Sequence, residues 1–469
     1  MSKILSNTLR YALIVPLLVI VINSIRFLRM SDNTLINDGY GLYQLIALAV
    51  AALLGVVIIA SKSQSNKKKL VYILGIAFVL RLLWVIFVPS VPVSDYATMH
   101  HSAKEIVTGD FSGMKGVSYF ARYPHLNLSV MYMSLMRLLF GAYDLIAMKI
   151  VSLLLSVYCV FLIYKISKYF VKNERIQLAA ALFASIFPPF VTYVSTFCTE
   201  NIAMPFLLLS VLYFCKILSG EKGIKNIILC GVMLGVSNLF RGVGAIFVIA
   251  MFIAMCLGHT KHKFKIVCSV AVLMILVTVA ASVPLKAANI TENHLWEGKE
   301  SSITYFLKGL NIESKGAWSS EDGEFVEKHF LDEDFNAQCI EIIKSRLQNR
   351  TPRELFDFFF HKFTNQWSYA DCNGSYWAFM NTDIKYRYPI DFPSQLVGCA
   401  LFILSLVSLI KKQKKNPALL HLLLCGFGLF FLVFETQPRY SYIVSWVFIL
   451  LAIQGLEVLR NLFYKGTDK

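Results

Sequence analysis

The chain lacks any paired cysteine spacing that would hold zinc. Its ten cysteines are scattered, mostly inside apolar runs, as at Cys159, Cys215, Cys230 and Cys256. Those thiols read as ordinary packing residues. Only Cys339 and Cys372 fall in a long polar stretch, where a disulfide is one alternative and two free thiols the other. Low-complexity tracts and internal repeats are also missing, and no small-residue cleavage site follows the first apolar run, so that run is expected to stay as a span.

What is present is apolar: 469 residues, 57% hydrophobic, mean hydropathy +0.60, in repeated runs long enough to cross a bilayer. The net charge of +16 does not point to nucleic acid, because the basic residues collect in short loops between apolar runs, as the positive-inside bias produces. The expected fold is an all-α polytopic membrane protein with about 12 to 13 transmembrane or re-entrant helices and interfacial helices in its outer loops.

In chain order the candidate spans are 11–28, 42–60 and 70–88, then 126–140, 145–164, 178–197, 202–218, 227–240, 245–257 and 266–284, and finally 396–410, 418–434 and 443–459. This divides the chain into an extra N-terminal pair (1–69), a membrane module (70–285) with a first outer loop at 89–125, an outer loop with amphipathic helices (286–394), and C-terminal spans (395–469). Lys62 with Lys67, Lys68 and Lys69 marks an inner connector, and Lys411, Lys412, Lys414 and Lys415 mark another. An odd number of runs separates the two outer loops, so one run is not a full crossing. Treating 126–140 as re-entrant keeps Lys168/Lys172/Arg175, Lys222/Lys225 and Lys261/Lys263/Lys265 inside. The alternative breaks 178–197 at Pro188-Pro189 and leaves a basic loop outside.

With that sidedness Asp95 lies just outside the third span, after the Pro89-Ser90 step and before a helix whose Met99, Ala103, Ile106 and Val107 make one apolar face. The simplest role for Ser94 or Asp95 is to cap that helix. Asp144, Thr199-Glu200, Arg241-Gly242 and 435–440 fall on the same side, and ionisable groups beside apolar spans usually face a shared polar cavity. In the outer loop, Thr351-Pro352-Arg353-Glu354 is a capping-box start for a helix carrying Leu355, Phe356, Phe359, Phe360 and Phe363, and 324–347 reads as a second amphipathic helix.

The order of an outer Asp95, Arg122-Tyr123-Pro124-His125, Thr199-Glu200, Phe240-Arg241-Gly242 and Glu435-Thr436-Gln437-Pro438-Arg439-Tyr440 resembles the GT-C superfamily of membrane glycosyltransferases, specifically bacterial members of the dolichyl-phosphate-mannose-protein mannosyltransferase type. Gly309-Leu310-Asn311 and Gly316-Ala317-Trp318 add to the likeness. The resemblance implies inverting transfer of a sugar from a polyprenyl-phosphate-linked donor to a cell-envelope glycan or glycopolymer acceptor. It places a multi-pass protein in a bacterial plasma membrane with its site on the extracytoplasmic side. In that reading Asp95 is the general base, Arg439, Arg122 and Arg241 meet the donor phosphate, and His125, Glu200, Tyr123 and Tyr440 contact substrate.

No cofactor is expected. The first outer loop has a single acid in Ser94-Asp95-Tyr96, without a second acid two positions away, and His100 and His101 diverge by about 100 degrees on a helix, so a divalent metal is disfavoured. A lipid-linked polysaccharide polymerase or ligase is the competing class, and would tolerate loss of Asp95. A flippase or transporter is less well supported, because the charges gather toward one edge and no related halves are seen.

Overall fold

The structure is a computed structural model, and it describes residues 2–30, 40–221, 223–348, 350–382, 392–411 and 418–464. Lys222, Lys412, Lys414 and Lys415 of the expected inner connectors lie outside the described residues. Helices α1 (Ser2–Ala12), α2 (Ile14–Met30) and α3 (Tyr40–Ala60) lead into α4 (Asn66–Phe87), and a first loop carries α5 (Asp95–Val107), α6 (Tyr119–Arg122) and α7 (Asn127–Phe140). The membrane module continues through α8 (Asp144–Ser167), α9 (Glu174–Ile186), α10 (Pro188–Thr192), α11 (Glu200–Leu218), α12 (Ile224–Phe240), α13 (Gly244–Leu257) and α14 (Lys263–Ala287). A polar region holds α15 (Ile303–Gly309), α16 (Ser320–His329), α17 (Phe335–Gln348), α18 (Pro352–Trp367) and α19 (Gly374–Phe379). The chain closes with α20 (Phe392–Ser408), α21 (Ala418–Val433) and α22 (Tyr442–Tyr464).

The protein is an all-α polytopic membrane protein. Among the described residues seven helical stretches are long and apolar enough to cross a membrane, or eight if α9 and the segment after it form one bent span; α12, α13, α20 and α21 are apolar but shorter. Exposure separates lipid-facing from central helices. On α3, Leu53 and Val57 are 66% and 58% exposed, whereas on α22 Trp446, Leu450 and Ile453 are wholly buried. The N-terminal spans are not loose additions: α2 seats on α20, where Gln395 donates to the carbonyls of Ser24 and Ser368.

Two helices decide the parity of the crossings. At the start of α4, Asn66 donates to Glu174 at the start of α9; at the far end, Trp84 donates to the Thr192 carbonyl (3.0 Å) and Ser90 to that of Ser195. So α4 and the α9–α10 pair run in the same direction over the same thickness, despite a 52° bend at Pro188. The bend has a sequence cause. Pro188 and Pro189 have no N–H to offer the carbonyls four residues back, those of Ala184 and Ser185. Arg81 of α4 supplies the missing donors, reaching Ala184 (3.1 Å) and Ser185 (3.0 Å), with further bonds to Ala77 and to Ser156. A fully buried guanidinium in a span is thus explained by the break it repairs.

By contrast α7 lies along α5, and the turn after it returns Asp144 to His100 of α5 at 2.8 Å. Both its ends stay at the Asp95 end of the bundle, in keeping with a helix that does not cross.

The outer region differs from the sequence reading in one element. Instead of a single helix over 324–347 there are two, α16 and α17, broken where Asp332 binds back to His329 through both its amide and its carboxylate. Both pack against α15, and the three together bury Leu307, Val326, Phe335 and Cys339 as a small separate core. Helix α18 starts with the expected capping box of Thr351 and Glu354. Cys339 and Cys372 are both buried as free thiols, Cys339 in this small core and Cys372 beside Ser441, so the disulfide alternative falls away.

Candidate functional site

Asp95 opens α5 but does not cap it. Ser94 holds the cap position with φ +49° and makes no side-chain bond to the helix, while the Asp95 carboxylate turns to Arg439 (Nη2 to Oδ2, 3.3 Å). Arg439 belongs to a short 3-10 turn, Pro438–Ser441, that delivers it into the bundle just before α22. Its side chain is only 9% exposed; Nη1 donates to the Tyr96 hydroxyl (2.9 Å), and the guanidinium lies 4.7 Å from the Trp377 ring centre and 5.3 Å from those of Tyr96 and Tyr440. Among the described residues its buried Nε–H has no hydrogen-bond partner, so one directed donor remains for a ligand oxygen. The Asp95 side chain, in contrast, is 42% exposed, open to an incoming group.

A second pair stands beside the first. Glu200, at the start of α11, is buried, forms an ion pair with Arg241 (3.3 Å) and accepts from the Thr199 hydroxyl (3.2 Å). Arg241 lies 4.7 Å from the Tyr440 ring centre, which links the two pairs. Burial is the largest single influence on Arg241 and lowers its pKa, but Glu200, Tyr440 and Tyr96 together outweigh it and hold the pKa above its ordinary value. The His125 side chain is exposed to solvent. The crowding of protein around it, then the Arg241 charge, lower its pKa below the ordinary value, which favours the neutral ring near pH 7. Tyr440 donates to Glu435 (3.1 Å), and Gln437 donates to the same carboxylate (2.7 Å).

Arg122 and Tyr123 are placed differently from Arg439 and Arg241. Both bind Glu300 of the outer region, at 2.7 Å from the Arg122 Nη2 and 2.5 Å from the Tyr123 hydroxyl, with Lys308 at 3.9 Å. Arg122 also faces the Phe330 ring at 4.5 Å. Tyr119 joins the two clusters, its ring 5.0 Å from that of Tyr123 and its hydroxyl toward Asp95. Sequence reading missed Glu300, Tyr119 and Trp377. An isolated acid in a loop and scattered aromatics carry no local pattern, although Tyr96 stood next to the acid already chosen.

The loop that bears Arg439 is held from outside. From α18, Lys362 donates to the carbonyls of Gly309 and Phe434 (2.9 Å to the latter), and Gln366 donates to that of Gln437 (2.8 Å). The Thr436 amide binds the Gly316 carbonyl (2.7 Å). Gly316 has φ +75° and sits so near Lys362 that a Cβ would meet its Nζ at 2.8 Å; at Gly309 a Cβ would strike the backbone of Val433 and Phe434. Burial draws the Lys362 ammonium down to about 7.

Elsewhere on this end His100 pairs with Asp144 and His101 with Glu105. Among the described residues no three His, Cys, Asp or Glu side chains gather as metal ligands. The arrangement places one accessible carboxylate beside two arginines, one of which keeps a donor in reserve. Chemically it can accept a proton and stabilise a developing phosphate charge a few ångströms away.

Residues 129–285 match the family model described as dolichyl-phosphate-mannose-protein mannosyltransferase. That segment includes Glu200 and Arg241 and leaves Asp95 and Arg439 outside it. A comparison with curated proteins gives no match. Among solved structures, the crystal structure of ArnT from Cupriavidus metallidurans bound to undecaprenyl phosphate is similar at 12% identity over 84% of this chain and 78% of that chain, with a TM-score of 0.37, too remote to speak for the site. The family match over the membrane module bears out the resemblance of this polytopic chain to the GT-C superfamily of membrane glycosyltransferases.

Proposed function

We propose that the protein transfers a sugar, with inversion, from a polyprenyl-phosphate-linked donor to a cell-envelope glycan or glycopolymer, at the extracytoplasmic face of a bacterial plasma membrane. The observation that carries this reading is the meeting of Asp95 with Arg439, and of Arg241 with Glu200 beside them, from four segments far apart in the chain. The family description, a mannosyltransferase using a dolichyl-phosphate-linked sugar, supports the donor class.

In this mechanism Asp95 takes the proton of the acceptor hydroxyl as its oxygen attacks the anomeric carbon. The bond from that carbon to the phosphate oxygen breaks, and its electron pair leaves with the polyprenyl phosphate. Arg439 meets the growing phosphate charge through its spare Nε–H, and Arg241 assists from the neighbouring pair. The base starts in contact with Arg439 and is released as the donor phosphate draws the guanidinium toward itself. Neutral His125, with Glu200, Tyr123 and Tyr440, would contact the sugar or acceptor; Arg122, bound to Glu300, would shape the outer wall of the cleft.

The direct test is transfer from a synthetic polyprenyl-phosphate sugar by purified protein in liposomes, read by product anomeric configuration. Retention at that carbon, or transfer undiminished by Asp95→Asn, would exclude the mechanism; the second result would favour a polymerase or ligase.

A further inference from the structure

Each arginine of the cleft already has a carboxylate: Arg439 has Asp95, Arg241 has Glu200 and Arg122 has Glu300. One cation nearby does not. Lys149 lies five residues into α8, about 8 Å from its start, and is 8% exposed. Its ammonium makes a single long bond, 3.4 Å to the Val88 carbonyl, with the Phe197 ring centre at 5.9 Å, and no carboxylate is within ion-pair distance among the described residues. The other buried lysines do better: Lys69 and Lys362 each bind two carbonyls, and Lys308 is paired with Glu300. An uncompensated cation at membrane depth marks a place for a charge that comes and goes.

Lys149 lines a pocket between α7, α8 and the segment leading to α11, together with Ser129, Tyr132, Ser152, Thr196 and Thr199. Ser129 is 2% exposed, and among the described residues its hydroxyl, like that of Tyr132, has no hydrogen-bond partner. Two orphan hydroxyls and an under-bonded ammonium around one pocket are a donor set for an oxyanion. The remaining wall includes Met133, Met148 and Ile202. One and two turns beyond Tyr132, Leu135 and Leu138 are 48% and 68% exposed, an apolar path outward along α7. The pocket volume is ≈ 10 Å³ in this conformation, about one water. A phosphate therefore enters only as the walls part, which the pliable Met133 and Met148 side chains allow.

We propose that this pocket binds the phosphate monoester of a membrane lipid, and that it holds the carrier phosphate released by transfer. The proposal rests on the lipid-linked donor reading above. Charge gives the preference: the donor is a phosphodiester with one negative charge, whereas the released monoester carries nearly two at pH 7. Thr199, on the pocket wall, precedes Glu200 in the cleft, so the added charge appears next to a cation that has no carboxylate partner among the described residues.

The test is binding of farnesyl phosphate to the detergent-purified full chain, with farnesyl methyl phosphate, farnesol and inorganic phosphate as comparisons. Lys149→Met should weaken farnesyl phosphate binding by about tenfold or more, and Lys149→Arg should retain most of it. Ser129→Ala gives a smaller loss in the same direction and guards against a misfolded Met variant. The monoester should bind wild type more tightly than the diester, and that preference should vanish in Lys149→Met. Unchanged binding in Lys149→Met, with loss in Arg439→Ala, would overturn this site while leaving the donor reading intact. Failure of folded wild-type protein to bind farnesyl phosphate would overturn both. Equal competition by inorganic phosphate would overturn the lipid source.

Discussion

Replacing Asp95 by Asn changes one oxygen for an amide at nearly constant volume, so the two roles of this residue separate. As structure, the carboxylate contributes an ion pair to Arg439 at 3.3 Å with its own side chain 42% exposed. A pair so open to water is worth about 1 kcal/mol at most, and the α5 cap does not use the Asp95 side chain. As chemistry, the loss removes the proton acceptor, which general-base catalysis values at about 10²–10⁴-fold in rate, or about 3–5 kcal/mol of barrier. The expected variant therefore melts within a few degrees of wild type in detergent and still binds farnesyl phosphate, yet transfers sugar at least about a hundredfold more slowly. Single-turnover transfer from a labelled polyprenyl-phosphate sugar in liposomes, beside a thermal melt of the same preparation, reads both quantities. Wild-type transfer by Asp95→Asn would refute the assignment of the base. A collapsed melt would refute the claim that its structural share is small.

Four further outcomes are expected. Arg439→Ala should raise the donor KM by about tenfold to a hundredfold, and unchanged donor kinetics would remove Arg439 from the phosphate site. Arg81→Met leaves the carbonyls of Ala184 and Ser185 without donors, at about 1–3 kcal/mol each, and should lower the melting temperature sharply; an unchanged melt would disprove the repair of the Pro188 break. Lys362 sits at about 7 when folded against 10.5 when free. The unfolded chain then binds more protons between those values, so stability from this group rises from about pH 7 toward 10.5. Lys362→Met should flatten that rise in a pH series of melts, and an identical pH dependence would contradict it. Single cysteines at Ser94 and Ser63 should be labelled from outside and from inside the cell respectively, and reversal at either position would invert the topology.

Much of this architecture was legible in the sequence because hydropathy and charge placement act locally. Run length marks the apolar stretches and the loop lysines their connectors, and Pro188-Pro189 announces a break that the structure contains. The capping box at Thr351 is equally local, since it needs only a hydroxyl and a carboxylate three residues apart. Selection of Asp95, Arg241, Glu200 and Arg439 as candidates rested on sidedness together with an order of motifs resembling the GT-C superfamily, and both are one-dimensional properties of the chain.

Pairing is not. Whether Arg122 serves a phosphate or Glu300, whether Asp95 caps a helix or meets Arg439, and whether Arg81 is a defect or a repair all depend on which side chain stands opposite across the bundle. The same holds for Lys149, which in sequence is one lysine in an apolar run and in space is a cation facing unpartnered hydroxyls. The sequence by itself determined the class of the fold, the order of its spans and the end of the bundle at which charge collects, because water and lipid sort residues one at a time. Only the tertiary structure decided which charges cancel and which remain available, because Coulomb energy and hydrogen bonding depend on distances of a few ångströms between residues hundreds of positions apart.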